Sequence, residues 1–201
     1  MIGVVLAGGK SRRFGRNKAL ELFQGERLIE RQVRTLGRIF SEVIIVSNTP
    51  EVYVDLQVTL LRDIIPEQGP LGGIYTGLLY ARDRGIFVAG CDMPFLQAAL
   101  IGKMVELAAN YDVVIPEKEG RLEPLHAAYS SRCLPHIEGM LKRKELQVIR
   151  FFPAVRVYRL GEKECQAIDP LGISFFNINT VADLSRAEEL LQLQQKATAG
   201  K

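Results

Sequence analysis

The sequence predicts a single α/β domain, a Rossmann-like, doubly wound and mostly parallel sheet with helices on both faces. Three observations predict it. Short all-apolar runs at Ile2–Leu6, 43–46 and 86–89 have the composition of central strands buried on both faces. Amphipathic helical stretches alternate with them, as right-handed crossovers between parallel strands require. The unusual polar and glycine-rich clusters follow strands directly, at the edge where such sheets bind ligands.

The elements follow in order. After Ile2–Leu6, residues Leu28, Ile29, Val33, Leu36, Ile39 and Phe40 share one helical face, with Arg27, Glu30, Arg31, Arg34 and Arg38 mostly off it. Strands are expected at 43–46 and 58–61. Gly69-Pro70 opens a helix over 71–84, and the strand 86–89 ends at Gly90-Cys91-Asp92. A helix over 97–110 turns Leu100, Ile101, Met104, Val105 and Ala108 inward. Strands at 112–115 and 125–129 lead to a helix over 133–141. A last strand is expected at 174–178, after which Thr180 caps the final helix with Asp183 three residues on.

At 201 residues the chain suits one domain, expected over 1–195, with 196–201 as a frayed, disordered tail. Hydrophobic residues make up 47% and charged residues 24%, which excludes a disordered chain. The net charge of +3 suits an anionic substrate but is too mild for a nucleic-acid binder. No apolar run approaches the length of a membrane span. The first apolar run is too short for a signal-peptide core. The three cysteines, Cys91, Cys133 and Cys165, lack the spacing of a disulfide framework or a zinc site. The expected compartment is the cytoplasm.

The segment after the first strand reads Leu6-Ala7-Gly8-Gly9-Lys10-Ser11-Arg12-Arg13-Phe14-Gly15-Arg16-Asn17-Lys18. Consecutive glycines let backbone N–H groups approach phosphate oxygens, and Arg12, Arg13 and Lys18 add charge-assisted contacts. It is not a Walker A loop. Gly9-Lys10-Ser11 would need a glycine where Val4 stands, and Gly9 rather than lysine follows Gly8.

These residues resemble the signature L-A-G-G-x-S-x-R-x-G-x-x-K of the molybdenum cofactor guanylyltransferases and related nucleotidyltransferases. Further blocks agree in order: Gly69-Pro70-Leu71-Gly72-Gly73, Cys91-Asp92-Met93-Pro94-Phe95, Glu123-Pro124-Leu125-His126-Ala127 and Phe175-Phe176-Asn177-Ile178-Asn179-Thr180. The resemblance implies transfer of GMP from GTP to the terminal phosphate of molybdopterin, with pyrophosphate leaving and Mg²⁺ as cofactor. It also implies transient contact with molybdopterin-handling proteins and apo-molybdoenzymes, and neither a nucleic-acid nor a membrane partner. Some members carry an asparagine contact at the end of the second strand. Val46 stands there, with Ser47 or Asn48 as substitutes.

Residue chemistry and resemblance together assign the site. Asp92, at a strand end beside a phosphate loop, is the Mg²⁺ ligand by resemblance; chemistry alone leaves a turn or cap role before Pro94 equally open. Asn177 and Asn179, two apart on the expected strand, face one side and are further candidates for the metal shell. The expected GTP contacts are Leu6, Ala7, Gly8, Gly9, Lys18, Asp63, Gly72, Gly73 and Asp92, and the catalytic set is Lys18, Arg12, Arg13 and Asp92. Glu123 lies in a block that faces the acceptor by resemblance; His126 and His136 receive no role. Arg143 and Lys144 read as a solvated helix face. By resemblance, guanylyl enzymes carry L-A-G-G where cytidylyl relatives carry L-A-A-G, so Gly8 makes room for a purine and Gly69–Gly73 should form the opposing wall. Open alternatives are another acceptor such as a sugar 1-phosphate, a preference for CTP, or a carrier that binds GTP or molybdopterin without catalysis.

Overall fold

The computed structural model describes residues 1–8 and 17–199. Strand β1 (Ile2–Leu6) is followed by a small hairpin of β2 (Leu22–Phe23) and β3 (Glu26–Arg27), then α1 (Leu28–Gly37). Next come β4 (Val43–Ser47), β5 (Thr59–Arg62), α2 (Gly69–Ala81), β6 (Ile86–Gly90) and α3 (Ala98–Leu107). The second half adds β7 (Val113–Lys118), β8 (Arg121–Leu122), β9 (His126–Tyr129), α4 (Leu134–Lys142), β10 (Val157–Leu160), α5 (Glu162–Ile168) and α6 (Val181–Ala199).

The main sheet runs β10-β7-β9-β6-β1-β4-β5, with β8 paired to the end of β7. Pairing is parallel from β6 through β1 and β4 to β5, and between β7 and β10. β9 runs antiparallel to both of its neighbours. β1 lies between β4 and β6, so the chain departs to opposite sides of it, and the crevice at such a reversal receives ligands.

Helices cover both faces because period-two alternation divides each central strand between two cores. Val4 and Leu6 of β1 pack with α2 and α4; Val5 and the following Ala7 pack with α1, α3 and α5. A third cluster joins Phe23, Leu28, Phe95, Ile173, Ile178 and Ala187, docking α6 beside the hairpin. Each fully buried aliphatic side chain contributes about 1.5–3 kcal/mol, so a one-residue slip in register would forfeit a whole face. Among the described residues, no helix is long and apolar enough to cross a membrane.

Two sequence expectations need correction and one stretch was missed. Residues 174–178 are not a strand: Ile173–Phe175 forms a 3-10 turn entered through Gly172 at φ 61°. Asp169 accepts from Ser174 N–H, and the two phenylalanines diverge, Phe175 onto His126 and Phe176 onto Phe95. The tail expected from 196 is helical to Ala199, because Gln195, Lys196 and Ala197 are good helix formers; 200–201 lie outside the described residues. Between α4 and residue 174, the 3-10 segment Val148–Ala154, β10 and α5 had no clear periodicity in sequence. Besides that stretch, the two-residue strands β2, β3 and β8 were not anticipated; the expected elements otherwise agree to within a few residues, and Asp183 does close the cap on α6, accepting from Thr180 N–H while Thr180 Oγ1 accepts from Asp183 N–H.

Candidate active site

The carboxyl ends of β1, β4 and β6 are stitched together where the glycine loop begins. Ala7 N–H donates to Val46 O at 3.0 Å, and Cys91 N–H donates to Leu6 O at 3.3 Å. Gly8 is exposed there, and among the described residues a Cβ on it would meet nothing nearer than Asn48 Nδ2 at 3.9 Å. That contact places Asn48, rather than Val46, beside the loop; Val46 is core. Gly9, Arg12 and Arg13 lie outside the described residues.

The chain re-enters with Asn17, whose Oδ1 accepts from Ala19 N–H and caps the 3-10 turn Lys18–Leu20. Asn17 Nδ2 donates to the hydroxyl of Tyr53, which is 1% exposed. This anchor sets the position of Lys18, and sequence reasoning missed it; an Asn directly before the lysine that ends the loop was the available signal. Lys18 Nζ donates to Asp92 Oδ2 at 2.6 Å and to Asn179 Oδ1 at 2.9 Å. Three sequence-nominated residues from distant parts of the chain therefore converge on one point. Asn177 does not join them: its amide donates to Phe175 O, so the expected pairing of the two asparagines on one strand face fails with the strand itself.

The seat of Asp92 is tight. A Cβ on Gly90 would stand 2.7 Å from Asp92 Oδ1, so the missing side chain leaves room for the carboxylate to fold back over the strand end. The carbonyl of Asp92 accepts from Ile178 N–H, and those of Met93 and Pro94 accept from Gln32 and Arg31 on α1. Gln32 was legible as a polar residue on an otherwise apolar helix face, at helical spacing from Leu28 and Leu36.

Asp63 follows β5, its N–H donating to Ser47 O. Its Oδ1 is buried without a partner in the free protein. Burial raises its pKa, while the Thr76 hydroxyl pulls the other way. Gly72 and Gly73 sit within α2 and are buried: a Cβ on Gly73 would lie 2.8 Å from Leu6 Cδ2, and one on Gly72 2.9 Å from Gln68 Cβ. Their missing side chains serve the packing of α2, which leaves Gly69 and Pro70 at the exposed helix start. Glu123 is half-buried; burial raises its pKa, partly countered by Lys118 and Arg121. His126 is fully buried between Phe87 and Phe175 and is pushed down to about 3 by burial. The Cys91 thiol is pushed up to about 12, chiefly by burial, so it stays protonated and unreactive. Arg143 is exposed and pairs with Glu145, as a solvated face would.

The two oxygens on Lys18 Nζ show that this point of the crevice accepts a cation. Asp92 carboxylate and Asn179 amide are hard oxygen donors of the kind Mg²⁺ takes, usually one or two from protein with the rest from phosphates and water. Among the described residues no cluster of three or more His, Cys, Asp or Glu could hold a metal by itself.

Comparison with known proteins gives the same picture. Residues 3–157 match the family described as the MobA-like NTP transferase domain. A molybdenum cofactor guanylyltransferase of Desulfosudis oleivorans is 38% identical, over 94% of this chain and 95% of that protein. A probable molybdenum cofactor guanylyltransferase of Pelotomaculum thermopropionicum is also 38% identical, over 94% and 93%. Among solved structures, the molybdopterin-guanine dinucleotide biosynthesis protein A of Archaeoglobus fulgidus superposes with a TM-score of 0.85 at 27% identity, covering 96% of this chain and 99% of that one.

Proposed function

The chain belongs to the MobA-like NTP transferase family, and from that premise we propose how its residues move GMP from GTP to the terminal phosphate of molybdopterin. The observation that carries the reading is the meeting of Lys18, Asp92 and Asn179 beside Gly8 at the reversal point of the sheet.

The acceptor phosphate oxygen attacks the α-phosphorus of GTP in line, forming the new P–O bond as the bond to the β-phosphate oxygen breaks. Charge then builds on the departing pyrophosphate. The attacking phosphate is already an anion, so no general base is needed, and catalysis reduces to positioning and charge compensation. Lys18 turns its ammonium to the triphosphate, and the Gly8 amide approaches the same phosphates. Asp92, with Asn179 as a second oxygen, would hold Mg²⁺, which would supply charge neutralisation for the triphosphate. Asn177 lies farther along the same segment and is left to orient it.

Asp63 is the residue suited to the base. A buried carboxylate oxygen without a partner is costly, and guanine offers the adjacent N1–H and N2–H donors that satisfy it. Leu6 and Ala7 form the strand end beneath the nucleotide, and Gly73 brings α2 close enough to hold Leu6 in place. Glu123, with Lys118 and Arg121 beside it, borders the acceptor side. The reaction belongs in the cytoplasm, where GTP is available.

The decisive assay pairs each nucleoside triphosphate with purified molybdopterin in Mg²⁺ and follows pyrophosphate. GTP alone should support release, in a one-to-one ratio with the dinucleotide product. Binding of GTP and molybdopterin with no pyrophosphate would establish the carrier instead; turnover with a sugar 1-phosphate or with CTP would reassign acceptor or base.

A further inference from the structure

After β6, three consecutive backbone carbonyls are each held by a donor from a remote segment. Ile178 N–H donates to Asp92 O at 2.9 Å, Gln32 Nε2 to Met93 O at 2.6 Å, and Arg31 Nε to Pro94 O at 2.6 Å. Gln32 is the unusual member. It is 1% exposed on the core face of α1, among Leu28, Ile29 and Leu36, each 0% exposed. Its Oε1 is buried without a partner. An amide in such a place is costly to bury, and methionine would fill the same volume with no polar atom to satisfy. What the amide supplies is one donor, aimed at the residue that follows Asp92.

We propose that Gln32 is a positioning residue for Asp92: by fixing the backbone at Met93 it sets where the Asp92 carboxylate stands relative to the triphosphate. The inference rests on the reading above, in which Asp92 holds Mg²⁺. The architecture supports it from both sides. α1 is tied to the Lys18 turn through Leu28 N–H donating to Glu21 O at 2.9 Å, directly after that turn ends. Arg31 adds the tie at Pro94 while its guanidinium lies 5.1 Å from the Phe23 ring centroid, and Phe23 packs edge-on to Phe95 at 5.7 Å. One helix thus spans from the segment of Lys18 to the segment of Asp92 and fixes their separation. A displacement of about 1 Å at a reacting centre can cost two orders of magnitude in rate, so such a spacer matters to the chemistry.

The test compares wild type, Gln32→Met, Asp92→Asn and Ile137→Val, a destabilising core substitution on α4 in a cluster that holds no residue of the Asp92 loop. Turnover is measured against Mg²⁺ concentration, Mn²⁺ affinity is read by electron paramagnetic resonance on the complex with a non-hydrolysable GTP analogue, and GTP affinity is measured without metal. Gln32→Met should raise the Mg²⁺ and Mn²⁺ requirement roughly 10- to 100-fold, as loss of a partner that orients a ligand does. Its metal-free GTP affinity should stay within about twofold of wild type. Ile137→Val should keep the wild-type metal dependence at a similar loss of melting temperature. If Gln32→Met loses stability but keeps wild-type metal dependence, Gln32 is structural only and the inference fails. If Asp92→Asn itself keeps activity and metal affinity, the metal reading fails and takes this inference with it. Should Gln32→Met not fold, Arg31→Met reads the same loop through Pro94 and must shift metal dependence in the same direction.

Discussion

Lys18 and Asp92 stand 74 positions apart in sequence and 2.6 Å apart in the fold, with side chains only 14% and 20% exposed. A pair in that setting is functional before it is stabilising, because partial burial offsets much of its attraction. Lys18→Ala should lower turnover by about a hundredfold, as loss of a transition-state cation contact implies, a kinetic loss beyond whatever stability is lost by leaving the part-buried Asp92 carboxylate without its cation. Steady-state kinetics and thermal melts on the same preparation check both halves; a melting loss without a kinetic one would make the pair structural. Gly8 invites a second test. Among the described residues a Cβ there meets only Asn48 Nδ2, at 3.9 Å, so Gly8→Ala should fold as wild type and its effect should fall on the bound base. The GTP/CTP ratio of kcat/KM should fall roughly tenfold or more, the worth of one misplaced methyl in a specificity pocket. An unchanged ratio would move base choice to Asp63.

At the scale of elements, glycines divide into those that pack and those that do not. In α2, a Cβ on Gly73 would meet Leu6 Cδ2 at 2.8 Å and Cδ1 at 3.2 Å, so Gly73→Ala forces α2 away from β1 or turns Leu6 into another rotamer. In α3, a Cβ on Gly102 would meet nothing within 4 Å. Gly102→Ala should stabilise by about 0.5–1 kcal/mol through helix propensity and lost unfolded-state freedom. Gly73→Ala should instead destabilise by about 1–3 kcal/mol, overpacking outweighing the same propensity gain. Urea titrations of the two variants separate the terms; equal signs would show that Leu6 relaxes freely. Sequence showed both helices and their apolar faces, yet could not tell these glycines apart. The difference lies in what stands across the interface.

For the molecule as a whole, pH reports on its buried His126. In the unfolded chain the ring takes up a proton below about 6.5, whereas burial between Phe87 and Phe175 holds it neutral in the fold until about 3. Between those values the unfolded state binds more protons, so stability rises with pH across this window and is fully present above it. Asp112 acts lower down. Burial works against its charged form, but Arg156 N–H and the Arg132 and Arg156 side chains outweigh it and bring the carboxyl down to about 2, so its contribution fades only as pH falls from about 4 towards 2. His126→Phe should therefore flatten the dependence of melting temperature between pH 6.5 and 4.5 and leave the fall below pH 4 in place. A His126→Phe profile that matches wild type would show that the ring is protonated in the fold.

What the sequence determined by itself is the class of fold and the chemistry at its strand ends. Buried strands write themselves as apolar runs, helices as periodicity, and a phosphate loop as glycines among cations, because each of these constraints is local. Asp63 and Asp92 were legible as charged residues set just beyond a strand, and Lys18 as the cation that closes the glycine-rich loop. Only the tertiary structure decided that Asn179 rather than Asn177 meets Lys18, since that depends on a 3-10 turn closed by Asp169 and on two phenylalanines drawn to different clusters. It also decided that Gly72 and Gly73 serve the packing of α2, and that Gln32 on α1 reaches the loop of Asp92, 61 positions away. Contacts of that kind join segments whose order in the chain says nothing of their distance, so they exist only once the sheet has brought the strand ends together.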